Sequence, residues 1–254
     1  MRVVAIVQAR MNSSRLPGKV LKLLAGKPVL QHIHERLSEC RLIDEIVFAT
    51  SQEISDNPIG DFCSTRNISS FRGSLDDVLD RFYKTAQQYR ADVIVRITGD
   101  CPIIDPIVVD AVISGFLVGQ YDCYGLGGDF PDGLDCTAFS LKAIEKACLE
   151  ASLPSEREHV GPFIENNPDM FKNGSLELFA GLSSHRWTLD EPQDFELLSL
   201  IFDELYVSGH IFYTQDVMQL LIRRPELKKI NSAIIRNEGY INSVLAETGK
   251  SNGS

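Results

Sequence analysis

The run Val3-Val4-Ala5-Ile6-Val7 passes directly into Gln8-Ala9-Arg10-Met11-Asn12-Ser13-Ser14-Arg15-Leu16-Pro17-Gly18-Lys19, and the fold is read outward from that junction. Five apolar, mostly β-branched residues predict a buried strand. The small and polar residues behind it predict a loop leading into a helix. That order sets backbone N–H groups and three fixed cations, Arg10, Arg15 and Lys19, at the carboxyl end of a sheet, where open α/β folds bind ligands. The loop is not a Walker motif, because the spacing Gly-x-x-x-x-Gly-Lys-Ser/Thr is absent. The alternative is that Arg10 and Lys19 are surface charges paired with distant carboxylates. Three cations in ten residues with no local acid weigh instead toward an anion site.

Charge distribution sharpens this. The 254 residues carry a formal net charge of −10, which argues against a nucleic acid as partner, since such binders present a basic face. Yet from Met1 to His34 there is no Asp or Glu, while Arg2, Arg10, Arg15, Lys19, Lys22 and Lys27 all fall there. A positive field inside an acidic protein suits a small, highly charged anion held in one cleft. With 44% hydrophobic residues the chain can bury a large core. No apolar stretch is long enough to span a bilayer, and the run Val3 to Val7 is too short for a signal peptide. Cys40, Cys63, Cys101, Cys123, Cys136 and Cys148 form no Cys-x-x-Cys pair, which fits reduced, mostly buried thiols and a cytoplasmic protein.

Beyond the first strand, apolar runs alternate with helix-period segments, the pattern of a mainly parallel sheet covered by helices. Further strands are predicted at 45–49, 69–71 and 92–97. Helices are predicted at 28–39, 57–66 and 75–89, the last opened by Ser74 with Asp77 three residues on, and one starts at Asp105-Pro106 and reaches about Val118. The glycines at 125, 127, 128 and 133 predict a loop separating two lobes of one domain over 1–249, a nucleotide-binding half (1–119) and an acceptor-binding and dimerisation half (120–249). In the second half, helices are expected at 141–151, 156–166, 192–206 and 214–223, strands at 176–180 and 186–189, and a disordered tail at 250–254.

The string from Gln8 to Lys19 resembles the signature of the cytidylyltransferases that make CMP-activated acidic sugars, including the 3-deoxy-manno-octulosonate and acylneuraminate enzymes. Similarity to the spore-coat polysaccharide biosynthesis F-like branch extends through Arg72-Gly73-Ser74-x-x-Asp77, Arg96-Ile97-Thr98-Gly99-Asp100-Cys101-Pro102, Pro131-Asp132-Gly133-Leu134-Asp135, Pro154-Ser155-Glu156-Arg157-Glu158-His159 and Arg186-Trp187-Thr188-Leu189-Asp190-Glu191-Pro192. The resemblance implies a glycosyltransferase-A-like α/β nucleotide-binding fold, Mg2+ dependence, CTP and a small acidic acceptor as substrates, and a homodimer.

Asp100 ends an apolar strand before Cys101-Pro102, so it sits where strand tips face the cleft; it reads either as a turn or capping aspartate or as a carboxylate holding Mg2+ against phosphate. Asp190 reads as an N-cap before Pro192 or as a second metal ligand, two roles that are compatible. Asp190 is paired with Asp100 on one Mg2+ because both follow short apolar strands and precede a proline by two residues; the resemblance makes Asp100 a metal ligand, with Arg10, Arg15, Lys19 and Asp100 as the catalytic group. It puts the nucleotide on Gln8, Ala9, Arg10, Ser13, Ser14, Arg15 and Lys19, with base selection by Thr50, Ser51, Arg72, Gly73 and Ser74. Asp132, Asp135, Glu156 and His159 are candidates for the acceptor side, with a solvated helix face as the alternative for Glu156 and His159. His32 and His34 lie two apart on a helix and face different ways, so they share no metal; Cys101 reads as packing rather than a nucleophile. Rival readings are a transferase using another nucleotide or a non-sugar acceptor, a nucleotide-sugar glycosyltransferase, which predicts an Asp-x-Asp motif absent here, and a non-catalytic nucleotide-binding module.

Overall fold

Strand β1 (Val3–Gln8) is buried on both faces, with Val3, Ala5 and Val7 in one apolar cluster and Val4 and Ile6 in a second, as a central parallel strand requires. The computed structural model describes residues 1–247 and residue 249. After β1 come the 3-10 turn Lys19–Leu21, a small hairpin β2 (Leu23–Leu24) and β3 (Lys27–Pro28), α1 (Val29–Leu37), β4 (Glu45–Ser51), α2 (Asn57–Thr65), β5 (Ser69–Gly73), α3 (Val78–Gln88), β6 (Val93–Thr98) and α4 (Pro106–Gly119). Asp105 caps α4 by accepting from the Ile107 amide, and Pro106 occupies the first helical position, as expected. Helix α3 starts three residues later than predicted. Ser74 does accept from the Asp77 amide, but the N-cap is Asp77, whose carboxylate accepts from Asp80.

The chain continues through β7 (Cys123–Leu126), β8 (Cys136–Ser140), α5 (Leu141–Glu150), α6 (Pro154–His159), α7 (Pro162–Glu165), β9 (Asn173–Leu176), α8 (Pro192–Leu205), α9 (Thr214–Arg223) and α10 (Glu238–Glu247). One seven-stranded sheet runs in the order β5-β4-β1-β6-β8-β7-β9, and β8 alone opposes the common direction. This is the mixed, mainly parallel sheet expected. The glycine-rich stretch is the expected loop over 127–135, and it joins β7 to β8, which are neighbours in the same sheet. The helix predicted at 156–166 breaks in two because Val160 takes φ +69 and Pro162 follows. The strand expected at 176–180 lies earlier, at Asn173–Leu176. Residues 186–189 make no strand and only a bridge from Arg186 to Asp132. The polar stretch before the tail contains α10, and residues 250–254 lie outside the described residues.

Two helical layers cover the sheet. α1, α4, α8 and α9 close the face that carries Val3, Ala5 and Val7, around Trp187 and Phe202; α3 and α5 close the other. Because β1, β4, β5 and β6 are mutually parallel, their carboxyl ends, Gln8, Ser51, Gly73 and Thr98, open on one side. No helix among the described residues is long and apolar enough to cross a membrane.

Candidate active site

The basic loop is moulded by one buried acid. Asp56 accepts from the Met11 amide at 2.7 Å and, through its other oxygen, from the Thr50 and Ser51 hydroxyls at 3.0 and 2.5 Å. Burial opposes its charge, but the Met11 amide and the two hydroxyls hold it below the usual carboxylate range. The loop then closes on itself: the Gly18 amide donates to Met11 O at 2.9 Å, and Gly18 adopts φ +67, a conformation suited to glycine. The turn places Lys19 side on to the sheet, 8% exposed.

Lys19 Nζ donates to Asp100 at 2.6 Å and to Asp190 at 2.7 Å. The two carboxylates, 90 positions apart in sequence, therefore converge on one point, and their bonded oxygens cannot lie farther apart than the sum of those distances. Asp190 reaches that point because residues 186–190 run beside 131–133 and the tip of β6. The Leu189 amide donates to Asp100 O at 2.8 Å, and the Trp187 amide to Asp132 O at 2.7 Å. Gly133, at φ +101, permits this approach, since a Cβ there would stand 2.5 Å from the Trp187 carbonyl carbon. Burial works against the Lys19 ammonium, yet Asp100 and Asp190 together keep its pKa raised; Asp100, half-buried, is held well below its ordinary value by Lys19. Arg15 completes the cluster with Asp190 at 3.3 Å, Glu191 at 3.2 Å and Glu238 at 2.7 Å. The charge pattern of the first 34 residues thus misleads in one respect: Lys19 and Arg15 do meet distant carboxylates, whereas exposed Arg10 has no ion pair among the described residues.

A cavity of about 190 Å3 lies over these tips, lined by Gln8, Ala9, Arg10, Lys19, Asp100 and Asp190 among the expected residues, and by His159. Ser13 uses its hydroxyl to accept from the Leu16 amide, and Ser14 is exposed on the same loop. Four of the residues assigned to base selection do other work. Thr50 and Ser51 are fully buried on Asp56. Arg72 donates to Ser51 O, Asn57 and Glu53 O, stapling β5 to the preceding turn, and Ser74 accepts from Asp77. Gly73 leaves room for Arg81, whose Cγ would lie 2.9 Å from a Cβ there. On the acceptor side, Asp135 and His159 line a neighbouring cavity. Asp132 is instead buried against Arg186 at 2.8 Å, and Glu156 accepts from the Leu153 and Ser152 amides at the start of α6. His32 is buried on Leu24 O and His34 stacks near Phe48, apart from each other's environment. Cys101 is buried, and burial pushes its thiol up, as packing demands.

The sequence pattern of the cytidylyltransferase family matches residues 4–183. The chain belongs to that family. An uncharacterised protein of Methanocaldococcus jannaschii is 36% identical, with 94% of this chain and 98% of that one covered. Spore coat polysaccharide biosynthesis protein SpsF of Bacillus subtilis is 30% identical over 88% of this chain and 95% of its own length. A cytidylyltransferase of Leptospira borgpetersenii matches in three dimensions with a TM-score of 0.84 at 31% identity, covering 89% of this chain and 96% of the other.

Three features of this cytidylyltransferase escape the sequence reading. Arg81, 3% exposed on α3, lines the cavity over the strand tips with its Nε unpartnered among the described residues, while one terminal nitrogen donates to Ser74 O at 2.6 Å. Arg96 reaches the second cavity from β6. The start of helix α10 lines both: Gly239 one, and Tyr240, with Asn237 just before the helix, the other. A charged residue inside the apolar run Val93-Ile94-Val95-Arg96-Ile97 was the available signal for Arg96.

Proposed function

We propose that this protein couples CTP to an acidic sugar, giving a CMP-linked product and pyrophosphate, for surface polysaccharide assembly. The observation that carries the reading is the meeting of Lys19, Asp100 and Asp190 at the tips of β1 and β6, beside a loop of backbone amides and the exposed Arg10. Family membership supplies the nucleotidyl chemistry, and SpsF of Bacillus subtilis, a polysaccharide biosynthesis protein by name, supports the setting.

The triphosphate lies along 13–19. Arg10 meets it with no ion pair to break, while Lys19 and Arg15 exchange carboxylate partners for phosphate oxygens and so offset the charge that gathers on the departing pyrophosphate. An acceptor hydroxyl oxygen forms a bond to the α-phosphorus as the bond to the bridging oxygen breaks; the electron pair leaves with pyrophosphate, and the hydroxyl proton passes to solvent. The residues present fit Mg2+: Asp100 and Asp190 already share one cation, and their hard oxygens suit an ion that takes one or two carboxylates plus substrate phosphates. Among the described residues no group of three or more acidic, His or Cys side chains is gathered for a metal, in keeping with an ion that arrives with the nucleotide. When bound, the ion would polarise the phosphoryl oxygens. The same reading makes the enzyme a cytoplasmic homodimer, on the resemblance described above. Pyrophosphate release with each of four nucleotides against a panel of acidic sugars tests it; CTP is expected to be preferred, and equal turnover with GTP would replace the cytidylyl reading with that of another nucleotidyltransferase.

A further inference from the structure

A cavity of about 500 Å3 lies between α1, the carboxyl end of α8 and residues 206–212, and it shares no lining residue with the cleft at the strand tips. Its volume falls in the range of small-molecule sites. Arg36 lines it while only 3% exposed. Nη1 donates to Phe212 O at 2.8 Å and to Ile104 O at 3.4 Å, and the guanidinium lies over the Phe212 ring, 4.2 Å from its centroid. Nε and Nη2 make no hydrogen bond, and Arg36 forms no ion pair, among the described residues. Asp105, whose charge favours the guanidinium, is itself committed to the Ile107 and Thr214 amides and the Thr214 hydroxyl. Burial pulls the Arg36 pKa down to about 10, as befits a buried cation short of a counter-charge. The other charges on the lining are paired or solvated. Lys27 donates to both oxygens of Glu35, at 2.7 and 3.0 Å, and Glu39 and His210 are exposed. His32 donates from Nε2 to Leu24 O at 2.7 Å, and burial lowers the pKa of His32 and His34, so both rings are neutral at pH 7. Among the described residues no three acidic, His or Cys side chains gather for a metal, so these imidazoles and glutamates do not make a cation site.

We propose that this cavity is a ligand site separate from the cleft and that it takes a monocarboxylate carried on a planar ring, with Arg36 as its anchor. Nε and Nη2 share one edge of the guanidinium, and two parallel N–H bonds there match the two oxygens of a carboxylate. The ring of the ligand lies among Phe202, Tyr206 and Phe212, which line the same space. Charge selects among ligands. A nucleoside triphosphate brings several negative charges to a single unanswered cation, and a neutral ring leaves that cation unpaired. The inference concerns residues outside the cleft and does not rest on the transferase reading.

The test titrates the full chain with benzoate and indole-3-acetate, and with their neutral amides benzamide and indole-3-acetamide, by calorimetry and saturation-transfer NMR, with and without CTP. At least one acid is expected to bind wild type about tenfold or more tightly than its amide, and equally well with CTP present. Arg36→Met should weaken that acid by about ten- to hundredfold, as loss of a charge-assisted pair does, and leave the amide unchanged. Because Arg36 also holds Phe212 O, Ser208→Trp keeps the test sound if the Met variant folds poorly. Ser208 is exposed on the lining, so an indole there fills the cavity from its rim; it should weaken the acid by a similar factor and leave Tm near that of wild type. Acids that bind no better than their amides overturn the inference. So does acid binding that is unchanged in Ser208→Trp, or that CTP displaces, which would put the acid in the cleft. Turnover of CTP is read separately, and its absence would count against the transferase reading while leaving this site standing.

Discussion

Removing a carboxylate from the active site should tighten the binding of an anion while slowing the reaction, and Asp190→Asn is the substitution that separates the two. Without ligand, Asp190 holds Lys19 at 2.7 Å and Arg15 at 3.3 Å, so metal-free CTP must draw both cations away from it. The Lys19 side chain is 10% exposed and Asp190 21%, so solvent screens this pair only partly. A hydrogen bond between charged groups contributes about 1.5–3 kcal/mol; taking the low end, its loss corresponds to about a tenfold change in Kd. Asp190→Asn should therefore bind CTP about tenfold more tightly than wild type in EDTA. With Mg2+ present its turnover should fall by about a hundredfold, because one of the two converging carboxylates is gone. The fold should hold, since Arg186 keeps Asp132 and Asp194. Isothermal titration in EDTA measures the first effect and pyrophosphate release the second. CTP affinity in EDTA that is unchanged or weaker would show that Asp190 does not compete with the nucleotide for these cations.

Lys19→Met should change how stability follows pH. In the folded wild type Asp100 is held below its ordinary pKa, so its contribution is present above the unfolded value of about 3.9 and is lost as pH falls through the folded value. Without the ammonium, burial raises Asp100 above that value, and its ionisation then favours the unfolded chain. The Tm deficit of Lys19→Met should widen as pH rises from about 2 and go on widening above about 4; a deficit constant with pH would show that Lys19 does not hold Asp100 ionised. Gly133→Ala combines φ +101 with a 2.5 Å approach to the Trp187 backbone, so it should cost at least about 2 kcal/mol and lower Tm by roughly 5 °C or more. An unchanged Tm would mean that residues 186–190 are not held against 131–133 in solution.

The strands that were legible are those buried on both faces. β1 is apolar from Val3 to Val7, β4 carries Ile46-Val47-Phe48-Ala49 and β6 carries Val93-Ile94-Val95 and Ile97 about Arg96, and their spacing with helices between them was enough to predict a parallel sheet. β7 and β8 were not legible because they are short and flank the glycines that signal turns. α10 was missed because none of its residues is buried, so its sequence carries no core-facing stripe. The same division runs through the candidate site. A basic loop behind a strand and an acid at a strand tip are local patterns, and they pointed to the strand tips where Lys19 and Asp100 meet, while the role of Asp100 there was read from the resemblance. Hydroxyls declare nothing about their partners: Thr50 and Ser51 looked available for a nucleotide base until Asp56, five and six positions on, was seen to take them. Arg81 and Arg96 were hidden inside a helix and a strand whose periodicity accounted for them already.

The shallow seating of α10 bears on how the protein is best handled. The helix touches the cleft through Glu238 on Arg15, Tyr240 against His159 and Ser243 on Glu158, and Glu247 ties its far end to Ser155. An affinity handle or fusion joined behind it would load a helix with no buried residue, and through it the first turn, where Gly239 and Tyr240 line the two cavities. Met1, 81% exposed, precedes the strand end opposite the cleft, so additions placed there leave the working edge of the sheet untouched.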